Sequence, residues 1–299
     1  MFRITARPDD EALVCSIETV GLIHAPLLLT TESGFMIVSG FKRIEACRRL
    51  GFETITAMVL KSGLSMLECA KLAIADNKSQ RELNGVEISH ALNLLSGAIE
   101  EADHLSRIAE SLGLPSDPRA IKKIRSVTQL PESLQKGIIA QRIALPVAFE
   151  LGNLEADSAN YLSRIFMDLN LSINRQREIL TWIKDISARE GISIRDVLEE
   201  NGLREIFFQN ESDHCETAKQ MRIYLKKRRF PSICRKEEAF NSYTKSLKLP
   251  KNVKLIAPDH FEGMAYTLQL SFKNMGELKS CRRAFDKVLG HPDTRSVFE

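Results

Sequence analysis

The pattern of hydrophobic and polar positions predicts short strands near the two ends of the chain and helices between them. Near the start, residues 35–38 form an apolar run typical of a strand, and Gly40 follows as a turn residue. The apolar residues Ile44, Cys47 and Leu50 then repeat at the spacing of one helix face. A strand therefore leads through a glycine into a helix, whose first backbone N–H groups can bind an anion.

Two cations lie at the start of that helix, where their charge opposes the helix dipole. Lys42 and Arg43 would each destabilise the first turn by about 0.3 to 1 kcal/mol unless an anion lies nearby. Arg48 and Arg49 lie in the last turn, where they complement the dipole and require no ligand. We therefore interpret Gly40, Lys42 and Arg43 as a candidate phosphate site, with a solvated basic turn as the alternative.

The middle of the chain contains two adjacent helical segments joined by a turn. The pattern places the first at residues 105–112 and the second at about 117–127, with Gly113 between them. The second segment turns Ile121 and Ile124 inward and leaves its cations toward solvent. Such a helix is typical of a recognition helix in the DNA major groove, and a plain basic hairpin is the alternative. The candidate DNA-binding residues are Arg119, Lys122, Lys123 and Arg125.

The last region, residues 212–299, carries the positive charge of the chain. It contains 18 Lys and Arg against 10 Asp and Glu, a net charge of +8, whereas residues 1–211 carry −5. Its periodicity predicts a helix, two strands and a final helix, an αββα pattern. The basic run at residues 219–236 is either a DNA backbone contact or a solvated helix end. The adjacent cations that would make this contact are Lys226, Lys227, Arg228 and Arg229.

Composition excludes several other classes of protein. The chain has 299 residues, 43% of them hydrophobic and 27% charged, as in a soluble protein of two or three domains. No apolar run approaches the roughly 20 residues that a membrane helix needs, and residues 1–12 lack the apolar stretch of a secretory signal. The six cysteines include no Cys-x-x-Cys pair, so we expect reduced thiols in the cytoplasm rather than disulfides or a zinc site.

Four segments in the same order resemble the ParB/Spo0J-type partition proteins. Residues 40–46 (GFKRIEA) resemble the GERRxRA phosphate loop of this family, and residues 76–83 (DNKSQREL) resemble its ENxQR-type motif. Residues 16–29 resemble the helix, glycine turn and strand that precede the loop, and residues 129–154 resemble the helices after the recognition helix. The resemblance covers roughly residues 10–200.

The resemblance and the patterns together predict a mostly helical α+β fold in three domains. These are a ParB/sulfiredoxin-like α/β domain over residues 1–84, a helical helix-turn-helix domain over residues 85–210 and a small basic αββα domain over residues 211–299. The resemblance implies a DNA-binding partition or regulatory protein controlled by a nucleoside triphosphate, with CTP the first candidate, and Mg²⁺. It also implies double-stranded DNA as partner, a homodimer, a partition ATPase as a further partner, and a nucleoid-associated place in the cytoplasm.

The resemblance also assigns residues to the nucleotide site. Asp76 would help to hold Mg²⁺, because carboxylate oxygens are ligands that this ion prefers. Phe41 and Glu45 depart from the glutamate and arginine of the family loop. The alternative function is an enzyme of the same fold, a nucleotide-dependent phosphotransferase, a nuclease or a weak nucleoside triphosphatase, although no residue forms a distinctive catalytic constellation. The implied phosphate-binding residues are Gly40, Lys42, Arg43, Asn77, Gln80 and Arg81.

Overall fold

The computed structural model of the chain is mostly helical with two small sheets, as the sequence pattern predicted. It divides into two compact units, Met1–Arg177 and Glu178–Glu299. The division into three domains, with boundaries after residues 84 and 210, stays a prediction. The structure describes residues 2–6, 11–61, 63–209, 213–261 and 265–298.

The first unit begins with a small α/β module. Its elements are α1 (Glu11–Val20), β1 (Leu27–Thr31), β2 (Gly34–Ser39), α2 (Phe41–Arg49), β3 (Met58–Leu60) and α3 (Met66–Gln80). Strand β1 is central, because it pairs antiparallel with β2 and parallel with β3. Strand β2, the turn at Gly40 and the helix that ends with Arg48 and Arg49 lie where the sequence predicted them. Phe35 is exposed, however, because β2 is an edge strand of the sheet.

Helices form the rest of the first unit. They are α4 (Gly85–Ser96), α5 (Ala102–Ser111), α6 (Pro118–Arg125), α7 (Glu132–Ile139), α8 (Leu145–Gly152), α9 (Ala156–Leu169) and α10 (Ile173–Glu190), which continues into the second unit. Helices α5 and α6 are the pair predicted from the sequence. Helix α6 ends earlier than predicted, since the chain continues after Arg125 as a 3-10 helix, Ser126–Gln129.

One hydrophobic core connects the sheet of the α/β module with the helix pair. Val38 of β2, Ile74 of α3 and Leu92 of α4 belong to it together with Leu105 of α5 and Ile121 of α6. Burial of these side chains is the main stabilising contribution to the unit. The helix pair is therefore fixed to the module that carries the turn at Gly40.

The second unit continues, over its described residues, with further helices and a two-stranded sheet. Its elements after α10 are α11 (Ile194–Leu198), α12 (Asn201–Gln209), α13 (His214–Arg229), α14 (Pro231–Leu247), β4 (Val253–Ile256), β5 (Thr267–Leu270), α15 (Met275–Gly290) and α16 (Thr294–Phe298). Strands β4 and β5 pair antiparallel, so α14, β4, β5 and α15 follow the αββα order of the prediction. The basic run lies mainly on α13, which packs against α12.

Candidate nucleotide and DNA-binding sites

Gly40 forms the turn between β2 and α2 in a conformation that favours glycine. Its φ of 93° lies in the left-handed region, and it is the N-cap residue of α2. A Cβ at this position would lie 2.7 Å from the Cβ of Pro26, which is too close for any side chain. The sequence therefore needs glycine here for the backbone alone, whether or not an anion binds.

Arg43 is held in the first turn of α2 by groups of the protein. Its guanidinium donates to the backbone oxygens of His24 and Ala25 at 3.0 and 3.3 Å, and to a carboxylate oxygen of Asp76 at 2.9 Å. Its side chain is only 12% exposed. The anion that compensates Arg43 is thus the carboxylate of Asp76, while Lys42 lies partly buried beside it in the same turn.

Asp76 brings several of the predicted site residues together. Besides Arg43, its carboxylate accepts hydrogen bonds from the hydroxyl of Ser39 and, at 3.3 Å, from the amide of Gln80. Among the described residues no group of three or more metal-ligating side chains occurs. A single carboxylate beside the candidate phosphate site fits Mg²⁺ nonetheless, because this ion usually takes most of its ligands from phosphate and water.

Asn77 and Arg81 bind groups of the protein rather than the start of α2. The amide of Asn77 donates to the oxygen of Ala73 at 2.8 Å and accepts from the hydroxyl of Thr5 at 3.1 Å. Arg81 donates two hydrogen bonds of 2.6 Å to the two carboxylate oxygens of Glu87. Asn77 and Arg81 of the second motif therefore form hydrogen bonds within the fold, whereas Asp76 and Gln80 lie near the start of α2.

Glu87 is a fully buried carboxylate that the sequence pattern did not single out. Burial would raise its pKa, but hydrogen bonds from Arg81 and from the backbone of Asn84 and Ala6 lower the pKa below its ordinary value. Asn84 and Glu87 form a capping box at the start of α4, which was visible in the sequence as a polar residue followed three positions later by glutamate. The pairing with Arg81 gave no such local signal.

Helix α6 presents two of its four cations freely to solvent. Asp117 caps its first turn by accepting from Ala120 at 2.8 Å, and buried Ile121 fixes which face turns inward. Arg119 and Lys122 are exposed, and no carboxylate of the described residues pairs with either. Arg119 lies in the first turn of α6, where a recognition helix approaches base edges, and Lys122 lies in its last turn.

The other two cations of α6 contact the protein itself. The ammonium of Lys123 lies 4.9 Å from the centre of the Phe149 ring. The Nε of Arg125 donates to the side chain of Asn93 at 2.9 Å. Both side chains remain exposed, so they keep a place in the predicted DNA surface although their orientation is fixed in part by these contacts.

Lys78 connects the second motif to the turn of the helix pair. Its ammonium donates to the backbone oxygens of Leu112 and Gly113 at 2.7 and 2.6 Å, at the end of α5. A cation there also complements the helix dipole. The sequence gave no sign of this role of Lys78, because the contact joins residues far apart in the chain.

The four cations at the end of α13 are all paired with carboxylates. Helix α14 supplies the partners of the two lysines, and the partners of the two arginines lie on α10 and just before α12. These ion pairs were not foreseen from the sequence, and a DNA contact of this run stays a prediction. The pairs are Lys226 with Glu237, Lys227 with Glu238, Arg228 with Glu190 and Glu200, and Arg229 with Asp185.

Similarity to curated proteins is found at low identity. The chain is 24% identical over 197 residues to the probable chromosome-partitioning protein ParB of Chlamydia trachomatis serovar D. This alignment covers 63% of this chain and 66% of that protein. The chain is also 24% identical over 200 residues to stage 0 sporulation protein J of Bacillus subtilis. That alignment covers 61% of this chain and 69% of that protein. The chain thus spans just under two thirds of the length of the Chlamydia trachomatis relative.

Comparison with solved structures adds little to these sequence similarities. The crystal structure of the C-terminally truncated chromosome-partitioning protein ParB from Caulobacter crescentus, complexed to the centromeric parS site, aligns with a TM-score of 0.34 and 20% identity. The alignment covers 58% of this chain and 88% of that chain. This TM-score is too low to support an argument, and no protein-family model matches the chain.

The sequence similarities are to chromosome-partitioning proteins, and the four motifs follow the order found in such proteins. More particularly, the chain is similar at low identity to ParB/Spo0J-type proteins, and this confirms the resemblance found in the sequence. Among the described helices, none combines the length and the apolar character that crossing a membrane requires.

Proposed function

We propose that the chain is a DNA-binding partition protein that contacts duplex DNA through helices α5 and α6. The observation that carries this proposal is that Arg119 and Lys122 of α6 are exposed and have no carboxylate partner among the described residues. Buried Ile121 fixes which face of this helix turns inward. An arginine near the start of such a helix can bind guanine edges, and a lysine can bind phosphates. The similarity to chromosome-partitioning proteins supports the same function.

We propose further that a nucleoside triphosphate binds at the start of α2. The supporting observations are the free backbone N–H groups expected in any first helical turn, the buried guanidinium of Arg43, and Lys42 in the same turn. Gln80 and Asp76 lie within hydrogen-bonding distance of each other at this place. CTP is the first candidate because the resemblance implies it, and Asp76 would hold Mg²⁺, which would neutralise phosphate charge.

Asp76 would act as an internal counterion for Arg43 when no nucleotide is bound. Phosphate oxygens and the carboxylate would compete for the same guanidinium, so binding would change the contacts of α3, which carries Asp76. Lys78 lies on the same helix and binds the turn between α5 and α6. A change in α3 would thus reach the helix pair, which gives a physical route from nucleotide to DNA. A homodimer and a partition ATPase partner remain predictions of the resemblance.

The test is a calorimetric titration of the full chain with ATP, GTP, CTP and UTP, with and without Mg²⁺ and with and without duplex DNA. We expect CTP to bind when Mg²⁺ is present. We also expect DNA to change the affinity for CTP, since α3 contacts the start of α2 through Asp76 and the end of α5 through Lys78. If no triphosphate binds at millimolar concentration, the nucleotide proposal is wrong, and DNA binding alone would remain.

A pair of charge variants on α2 locates the site. Arg43→Gln removes a cation from the first turn, whereas Arg48→Gln removes one from the exposed last turn and is the matched control. We expect Arg43→Gln to weaken triphosphate binding at least tenfold, because a hydrogen bond to a charged group contributes about 1.5 to 3 kcal/mol. Arg48→Gln should bind as the wild type does. Thermal unfolding of both variants would show whether loss of binding reflects loss of fold.

A further inference from the structure

The end of α6 is attached to α4 through the backbone oxygen of its last residue, Arg125. The hydroxyls of Ser89 and Thr128 donate to this oxygen at 3.0 and 3.2 Å, and the side-chain amide of Asn93 donates to it at 3.1 Å. The last carbonyl groups of a helix have no partner within the helix, so these bonds satisfy one of them. The backbone of Arg125 is therefore placed by α4 as well as by α6.

Asn93 also binds the guanidinium of Arg125, and the direction of its amide is unambiguous. Its Oδ1 accepts from Nε of Arg125 at 2.9 Å, while its Nδ2 donates to the backbone oxygen of the same residue and, at 3.2 Å, to the hydroxyl of Thr128. Exchanging the amide oxygen and nitrogen would oppose donor to donor at Nε and acceptor to acceptor at the backbone oxygen. One side chain of α4 thus holds both the backbone and the guanidinium of Arg125.

The part of the guanidinium that Asn93 does not contact is free to bind a ligand. Arg125 is exposed, and its terminal nitrogens Nη1 and Nη2 have no hydrogen-bond or carboxylate partner in the described part of the chain. These two nitrogens lie in one plane and can donate in parallel to two oxygens of one phosphate group. A guanidinium that is already held at Nε loses less conformational freedom on binding than an unrestrained one does.

The position of Arg125 in α6 favours a phosphate over a base edge. Recognition helices contact base edges mainly with their N-terminal residues, whereas the C-terminal end of the homeodomain recognition helix contacts the DNA backbone. Arg125 is the last residue of α6, and Arg119 lies in the first turn. A bidentate contact at the helix end would fix the register of the helix on the duplex and carry no sequence information.

We propose that Asn93 is a positioning residue, which directs the guanidinium of Arg125 toward a phosphate of duplex DNA. The inference rests on the DNA contact of α6 proposed above. Asn93 touches no DNA and acts through Arg125, because its amide uses Nε and leaves the two terminal nitrogens for the phosphate. The helix pair thereby takes one of its backbone contacts from a residue that lies outside it, on α4.

The experiment measures the affinity of the full chain for a pool of random-sequence duplexes by fluorescence anisotropy over a range of salt concentrations. Arg125→Gln should bind about tenfold more weakly and should make the slope of log affinity against log salt shallower by about 0.9, because one phosphate contact is lost. Asn93→Ala should bind about three- to tenfold more weakly but keep the wild-type slope. In this variant the cation is still present, but it must be ordered when DNA binds.

A double variant separates positioning from a general effect on the fold. Asn93→Ala/Arg125→Gln should bind no more weakly than Arg125→Gln alone, because Asn93 then has no guanidinium to position. Ser89→Ala is the matched control for Asn93→Ala, since it removes a hydrogen bond to the same backbone oxygen and leaves the guanidinium untouched. Arg48→Gln removes an exposed cation of α2 and controls for net charge. Both controls should bind DNA within about twofold of the wild type.

Thermal unfolding shows whether each variant is folded. If Asn93→Ala does not fold, Asn93→Leu takes its place, because leucine fills about the same space without either hydrogen-bonding group. Its effect on DNA affinity and its lack of effect in the Arg125→Gln background should be the same as those expected for alanine.

Four results would overturn the inference. Equal losses from Asn93→Ala in the wild type and in the Arg125→Gln background would show that Asn93 acts through the fold. A changed sequence preference of the bound duplexes in Arg125→Gln, with an unchanged salt slope, would assign Arg125 to a base edge. Unchanged affinity in Arg125→Gln beside a loss in Arg119→Gln/Lys122→Gln would overturn this inference and leave the proposed function standing. Unchanged affinity in both would show that α6 does not face DNA and would overturn the two together.

Discussion

Helix α6 and the last turn of α13 are both rich in cations, but they differ in what surrounds those cations. On α6, Arg119 and Lys122 are exposed and have no carboxylate partner among the described residues. In the last turn of α13, all four cations pair with carboxylates of neighbouring helices or of the turn before α12. The same residue type therefore provides a free positive surface in one region and internal ion pairs in the other.

This difference shows that charge counted along a sequence does not measure the charge available to a ligand. Residues 212–299 have a net charge of +8, yet the densest part of that charge is locally neutralised. An ion pair must be broken before such a cation can bind a phosphate, whereas an unpaired cation loses only water and counterions. We therefore expect paired cations to affect stability and unpaired cations to affect DNA binding.

The largest effect is expected where the paired cation has the most buried partner. Arg81→Ala would leave the buried carboxylate of Glu87 without its bidentate partner, and we expect it to lower the free energy of unfolding by about 3 to 5 kcal/mol. Urea unfolding at neutral pH measures this loss. Arg49→Ala is the control, because Arg49 pairs with Glu11 on the surface and its removal should cost no more than about 1 kcal/mol. Equal effects of the two variants would contradict the distinction.

The next largest effect is expected on DNA binding by α6. The double variant Arg119→Gln/Lys122→Gln should lower the affinity for a pool of random-sequence duplexes about 100-fold, or roughly tenfold for each cation removed. The slope of log affinity against log salt should also become shallower by about 0.9 for each phosphate that the variant no longer neutralises. Fluorescence anisotropy over a range of salt concentrations measures both quantities.

The matched control for this experiment removes two cations from α13. Lys226→Gln/Lys227→Gln changes the charge by the same amount, but both lysines are paired with carboxylates of α14. We expect less than about a threefold change in DNA affinity, because each of these lysines would first have to leave its carboxylate partner before it could bind a phosphate. If this variant loses as much affinity as the α6 variant does, the basic run is a DNA contact, which is one of the two alternatives that the sequence left open.

Local sequence patterns predicted most of the secondary structure, whereas contacts between residues far apart in the chain were not predicted. The strand, glycine and helix around Gly40 and the αββα order after α13 follow from periodicity and turn residues, which act within a few positions. The pairing of Arg43 with Asp76 came close to prediction, because the resemblance placed both in one site. The contacts of Lys78 with the end of α5 and of Arg228 with two carboxylates depend on packing between distant helices, for which the sequence offers no local signal.

A smaller effect is expected at Arg228, whose partners are partly exposed. The hydrogen bond from Arg228, with a second one from Arg189, lowers the pKa of Glu190 below its ordinary value. A lowered pKa stabilises the fold above the unfolded pKa of about 4.3, and the stabilisation is lost as pH falls through the folded pKa. Arg228→Ala should therefore lower stability at pH 7 by about 1 kcal/mol and make the loss of stability below about pH 5 shallower. Thermal unfolding from pH 7 down to pH 3 follows both changes, and an unaltered pH profile would show that Arg228 does not set this pKa.

The smallest effect is expected at Lys227, the most exposed cation of the paired set. Lys227 and Glu238 lie 3.3 Å apart, and both side chains are 65% exposed, so solvent and salt screen their attraction. Lys227→Ala should change the free energy of unfolding by less than about 0.5 kcal/mol and the DNA affinity by less than about twofold. Glu238→Ala provides the reciprocal test, because it removes the partner of Lys227 and keeps the lysine. DNA affinity should then rise if Lys227 contacts DNA and stay constant if it does not. A rise with Glu238→Ala together with a decrease with Lys227→Ala would place DNA on α13 and remove the contrast with α6.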